Sequence, residues 1–298
     1  MTPERVEDPW AGRDIPALAK ATLGVAAFVN LYAVMRVVSR EDESIATVAS
    51  GAFAPDSALL APAQPAFMLW TAIYLGVFGH AVRVWLPDRA AHRRRHKVIL
   101  PSICAAALNT LWIVCAQRGL VVVTGVVIAI LLVTVWLAMD GVRAEPAHDT
   151  SSLVLIDGTY GLYLGWLLIA TAANIDVTLT QLFGLGTDLA GTAVALVLLV
   201  AAGAGAVVAI RRFTPNVMIA VGFCWGLVWV VRARSRGALL MPTVAWAATV
   251  AAALVMTVMA LQLEQRRSAR RTVATARPAP TTAPERALAT RQASAVSG

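Results

Sequence analysis

The chain alternates long apolar runs with short charged or polar clusters, and the runs lack the two-residue alternation of a barrel strand. Crossing a hydrocarbon core takes about 20 mostly apolar residues in a helix. On that measure eight spans are expected, at about 18–38, 65–86, 98–116, 120–140, 151–175, 189–210, 217–231 and 239–262. Asn30 and Arg36 weaken the first, and the seventh is short. The fold class is therefore an all-α polytopic membrane bundle of about eight helices. Residues 39–64 stand out between spans 1 and 2 as too long for a plain connector. The stretch 264–298, rich in Ala, Thr, Pro, Arg and Ser, reads as a disordered basic tail.

Composition agrees. Of the 298 residues, 58% are hydrophobic and 14% charged, against roughly 25% charged in soluble domains. The net charge of +8 comes from 23 Arg and 2 Lys. It sits in short inter-span segments, which points to membrane orientation rather than nucleic acid. Arg89, Arg93, Arg94, Arg95 and Lys97 make the 2–3 loop cytoplasmic, and Arg211 and Arg212 do the same for the 6–7 loop. Both termini then fall in the cytoplasm, the N-terminus being residues 1–17, and the expected location is the inner (plasma) membrane. Arg232, Arg234 and Arg236 contradict the rule, which leaves span 7 either re-entrant or an exception. Cys104, Cys115 and Cys224 all lie in apolar runs and read as small buried hydrophobes.

Orientation fixes depth. Phe67, Trp70 and Tyr74 share one helical face in the outer half of span 2. Asn109 and Trp112 do so in span 3, and Tyr163, Trp166, Ala170 and Asn174 in span 5. Three helices thus bring aromatic and amide groups to one depth, beside the 39–64 loop. Trp85, Trp136 and Trp246 read as interface anchors. Asn109 either bridges helices or meets a ligand. Gly161 and Gly165 form a GxxxG, which suits close helix packing within one chain or between two.

The motifs form a recognisable series. Pro62-Ala63-Gln64-Pro65-Ala66-Phe67-Met68-Leu69-Trp70-Thr71-Ala72-Ile73-Tyr74, Leu108-Asn109-Thr110-Leu111-Trp112, and Tyr163-Leu164-Gly165-Trp166 with Ala170-Thr171 and Asn174 resemble, in order and spacing, the tryptophan-rich sensory protein or translocator protein (TspO) family. The resemblance covers about 18–175, a five-helix core with the 39–64 loop as lid. Residues 176–263 add three helices, as in longer bacterial members. It departs at Leu60-Ala61-Pro62-Ala63, where the family usually has Trp-x-Pro-Pro, and at Leu162, where a Pro often precedes the fifth-helix Tyr. The resemblance implies a cavity for a porphyrin, haem or another flat hydrophobic ligand, often in a homodimer. Phe67, Trp70, Tyr74, Asn109, Trp112, Tyr163, Trp166, Ala170 and Asn174 would line it.

No cofactor is required on this reading, and no His or Cys is placed to ligate a metal in the cavity. His80 lies too deep on the inner side, His92 and His96 flank an Arg run, and His148 is in a loop. No hydrolase, zincin or dinucleotide motif appears, so no catalytic residue is assigned. The leading reading is a ligand-binding sensor or carrier. A secondary transporter and a membrane scaffold partner stay open as alternatives.

Overall fold

The fold is a computed structural model that describes residues 15–39, 51–86, 92–147, 149–213 and 215–275. Eight long helices follow in order: α1 (Ala17–Ser39), α2 (Leu69–Arg83), α3 (His92–Gln117), α4 (Val121–Ala144), α5 (Thr159–Phe183), α6 (Leu189–Phe213), α7 (Met218–Arg236) and α8 (Pro242–Thr275). A 3-10 turn, Gln64–Met68, leads into α2. A short turn, Thr150–Ser152, and a π-helical stretch, Leu153–Gly158, lead into α5. No strand occurs among the described residues. Seven helical segments there are long and apolar enough to cross a membrane, and Ala17–Ala33 within α1 is a shorter apolar one. The protein is a polytopic membrane helical bundle.

The described residues up to Met259 form one compact unit. In it α1 packs on α2 and α3, α3 on α4, and α5 on α2, α4, α6 and α7. Helix α5 is the hub, buried along nearly its whole length from Thr159 to Val177. Its contact with α7 is backbone against backbone. Gly165 lies against the Ile219 carbonyl and Phe223 amide, and Gly222 against the Leu162 carbonyl and Trp166 amide. A Cβ at either glycine would collide with those atoms. Gly161, one turn earlier, lies against the Asn216 side chain just before α7, and Gly226 against the Ile169 and Trp166 side chains, so the contact is made within the same chain. Packing on α3 follows a similar logic. Pro101 deprives the Lys97 carbonyl of its helical donor, and Gly141 of α4 comes so close that a Cβ there would lie 3.0 Å from that oxygen.

Three boundaries differ from the sequence reading. Helix α5 runs past 175 to Phe183 and ends at Gly184, whose φ of 66° and N–H bond to Thr180 O at 2.8 Å make a left-handed cap. Helix α7 is continuous through Arg236, past the expected end at 231. The tail expected to be disordered from 264 is helical through Thr275. Its Glu, Gln, Arg and Ala content favours helix, and Ser268 Oγ bonds Glu264 one turn earlier at 3.5 Å. This Ala260–Thr275 segment belongs to a second unit. Cys115 is buried and Cys224 half-buried, but Cys104 is exposed, which corrects its expected burial. The N-terminal stretch 1–14, loop residues 40–50, Arg89, His148 and tail residues 276–298 lie outside the described residues. So do the side chains of Arg36, His92 and Arg93.

Candidate functional site

Between α2, α3, α4 and α5 lies a cleft of about 40 Å³. Phe67 enters it from the 3-10 turn, Trp70 from the start of α2, Trp112 from α3, and Trp166, Ala170 and Asn174 from α5. The rings interlock edge to face. Trp166, 2% exposed, meets Trp70 at 5.9 Å and 86° and Phe67 at 6.2 Å and 81°. Such pairs contribute about 0.5–1.5 kcal/mol each beyond the area they bury. Asn174, the one amide in the lining, has its Oδ1 3.0 Å from Thr124 Oγ1, whose single proton also has the Val121 carbonyl within reach at 2.6 Å. Ile128 of α4 and Ala173 and Val177 of α5 complete the apolar walls.

The nine expected residues do not all line this cleft. Tyr74, Asn109 and Tyr163 line a separate, smaller chamber on the far side of Trp70. Trp70 is the partition, stacked on Tyr74 at 5.3 Å and meeting Tyr163 edge-on at 5.5 Å. Asn109 bridges helices: its Nδ2 donates to Asn30 Oδ1 on α1 at 2.9 Å and also to the Tyr74 hydroxyl. The Asn30 amide donates to Ala26 O and Ala106 O, each at 2.9 Å, so the polar group that weakened span 1 is satisfied by α3.

The α1–α2 loop covers the cleft from residue 51 onward. Phe53, Ala61 and Pro62 face the cleft, and the Phe53 ring lies 5.5 Å from that of Trp112. The loop is tied down chiefly by groups that the sequence reading did not single out. Leu60 N donates to Asp176 Oδ2 at 2.7 Å. Ala63 N donates to Trp229 O at 3.0 Å, and Trp225 Nε1 donates to Ala66 O at 2.9 Å. The fully buried Arg234 donates to Pro55 O. Helix α7 thus clasps the loop, and Arg234 has a structural role there. A signal for Val177 was present, since it continues the α5 stripe. None marked Ile128 or Trp229.

The opposite end of the bundle is ionic. Arg94, 1% exposed, pairs with Asp157 and donates to Glu145 O at 2.7 Å. Lys97 pairs with Glu145 at 3.0 Å, and Arg212 with Asp140 at 2.7 Å. Arg83 meets Asp149 at 3.1 Å. Asp149 also accepts bonds from the Ser151 hydroxyl and from the Ser152 amide and hydroxyl, and these hold its carboxyl below the usual carboxylate range. His80 Nδ1 lies 3.2 Å from the Tyr160 hydroxyl. Among the described residues no cluster of three or more His, Cys, Asp or Glu could hold a metal ion. Trp85 and Trp246 are 53% and 71% exposed, as anchors would be, while Trp136 packs on Phe213 at 5.2 Å.

No curated protein and no solved structure matches the chain. The family model for TSPO-like protein does match, over residues 18–261, which takes in α6, α7 and most of α8 as well as the first five helices. With that match spanning most of its length, the chain belongs to the TSPO-like protein family.

Proposed function

We propose that this protein is a membrane sensor or carrier that binds a flat hydrophobic ligand of the tetrapyrrole kind, a porphyrin or haem, in the aromatic cleft beneath the α1–α2 loop. The observation that carries the reading is the lining itself. Five aromatic rings, Phe53, Phe67, Trp70, Trp112 and Trp166, line one space with a single amide, Asn174. Planar apolar surface is recognised by such stacking, with a few fixed polar groups to orient the ligand.

Size adds a requirement. Ligand sites commonly enclose about 300–1,000 Å³, and this cleft encloses about 40 Å³. Admission of a porphyrin therefore requires the loop to lift and the interlocked rings to part. The loop is held by hydrogen bonds and ring contacts, which can break and re-form, so it suits a lid. The basic side chains of α3, α6 and the end of α2 gather at the opposite end, which supports an orientation with that end in the cytoplasm and the lid outside. Gly165 is covered by α7 and Gly161 by Asn216, so a homodimer would use another surface.

The test is a titration of the purified full chain with a porphyrin, followed by its absorbance. A saturable spectral shift at one ligand per chain is expected. An unshifted spectrum at porphyrin concentrations well above that of the protein would overturn the reading and leave the fold assignment intact.

A further inference from the structure

Behind the Trp70 partition, α1, α2, α3 and α5 enclose a second chamber of about 10 Å³. It is unusual in composition. The chain has four tyrosines, and three of them, Tyr74, Tyr160 and Tyr163, line this one space with Asn30, Ser102 and Asn109. The fourth, Tyr32, is exposed on α1. The cleft presents rings to its interior, whereas this chamber sets tyrosine and serine hydroxyls and two amides among the aliphatic Ala27, Val77, Ala105 and Ala106.

Proton bookkeeping decides what the chamber can hold. Ser102 Oγ gives its proton to Val98 O at 2.7 Å, so it accepts from Tyr160, whose hydroxyl lies 2.5 Å away. The single Tyr160 proton is then committed, and the contact to His80 at 3.2 Å has Nδ1–H as its donor. On the other wall, both Nδ2 protons of Asn109 are committed to Asn30 and Tyr74. Asn109 Oδ1 is left buried without a partner, and so is the Tyr163 hydroxyl. The Tyr74 hydroxyl accepts from Asn109 and keeps its own proton to give. The lining therefore offers hydroxyl donors in Tyr74 and Tyr163 and a bare carbonyl acceptor in Asn109.

A surface that both donates and accepts, around a space of about one probe sphere, matches a molecule with two donors and two acceptors. We propose that the chamber is a binding site for water, held by Tyr163, Tyr74 and Asn109. This water ties the α5 side of the Trp70 partition to α2 and α3, so the aromatic wall of the cleft is braced from behind by a hydrated contact. The inference stands apart from the ligand reading, because none of the three residues that hold the water lines the cleft.

Water-edited solid-state NMR on the full chain in lipid bilayers, with labelled tyrosine and leucine, tests it directly. Magnetisation from water is expected to reach Tyr163 and Tyr74 several-fold faster than Leu131 and Leu164, which are fully buried in apolar surroundings. Build-up at Tyr163 no faster than at those leucines would overturn the proposal. Ala106→Val narrows the chamber, and loss of the fast build-up at Tyr74 and Tyr163 is expected. Its persistence undiminished would overturn the assignment of the water to this space. Should that variant fail to fold, the wild-type comparison with the leucines decides alone.

Discussion

The two ends of the bundle are held by different forces. At the end away from the lid, cations on α2, α3 and α6 meet carboxylates on α4 and in the segment before α5, and the central pair, Arg94 with Asp157, is largely withdrawn from solvent. At the lid end the ties are individual hydrogen bonds from loop backbone to Asp176, Trp229, Trp225 and Arg234, over a stack of aromatic rings. Removing one partner of a buried ion pair leaves the other charged and unpaired, so that end resists change. The ties at the lid end are buried too, at Leu60, Asp176 and Arg234, but each is a separate hydrogen bond whose groups water can satisfy once the loop lifts, so opening there breaks no ion pair. One end keeps the helices in register, and on the proposed ligand-binding reading the other supplies the moving part.

Arg94→Ala should give the largest effect, a loss of about 3–5 kcal/mol in folding stability, since Asp157 is left without its partner. Lys97→Ala, at the half-exposed pair beside it, should cost no more than about 1 kcal/mol. Denaturation of the detergent-solubilised protein measures both. Equal losses would erase the distinction between core and rim at that end.

Gly165→Val comes next. Its side chain would enter the space of the Ile219 carbonyl, and overpacking costs about 1–3 kcal/mol, occasionally more. Gly203→Ala, where a Cβ meets nothing within 4 Å, should be stable by the same measurement. At the lid, Asp176→Ala removes the acceptor for Leu60 N, a local cost of about 1–3 kcal/mol. Hydrogen exchange at Leu60 should quicken while exchange in α3 stays as it was. If α3 quickens equally, the lid is not independent of the bundle.

Trp166→Ala should weaken porphyrin binding by about tenfold or more, from lost ring contact and buried area. Trp85→Ala should leave it nearly unchanged. Fluorescence quenching titrations compare the two, and equal weakening would move the site out of the cleft. The smallest effect concerns Asp149. Its folded carboxyl titrates below the unfolded one, so its contribution is present above about pH 4 and is lost as the pH falls further. Asp149→Asn and the wild type should therefore differ in thermal stability at pH 7 and converge at low pH. A difference that persists under acid would mean that the carboxylate's charge is not what the Ser151 and Ser152 bonds stabilise.

Much of this was legible in the residues. Each span announces itself because a bilayer demands a long apolar run whatever its neighbours are. The stripes Phe67–Trp70–Tyr74 and Tyr163–Trp166–Ala170–Asn174 are local as well, since helical spacing alone puts them on one face. Their division between cleft and chamber was not legible. It depends on where the Trp70 ring comes to rest, and that is fixed by the stacked Tyr74 and the edge of Tyr163 from another helix.

Spacing, charge and span length are properties of one segment at a time, so the sequence alone determined the helical membrane architecture, the family resemblance and the aromatic character of the site. Tertiary structure decided what each glycine of α5 and α7 packs against, that α7 reaches the lid, and that Arg234 is buried there. The physical reason is separation along the chain. Gly165 with Gly222, Leu60 with Asp176, and Pro55 with Arg234 join residues with no local signal of one another. The packing of α5 against α7 brings the first pair within reach, and the return of the α1–α2 loop onto those two helices brings the other two.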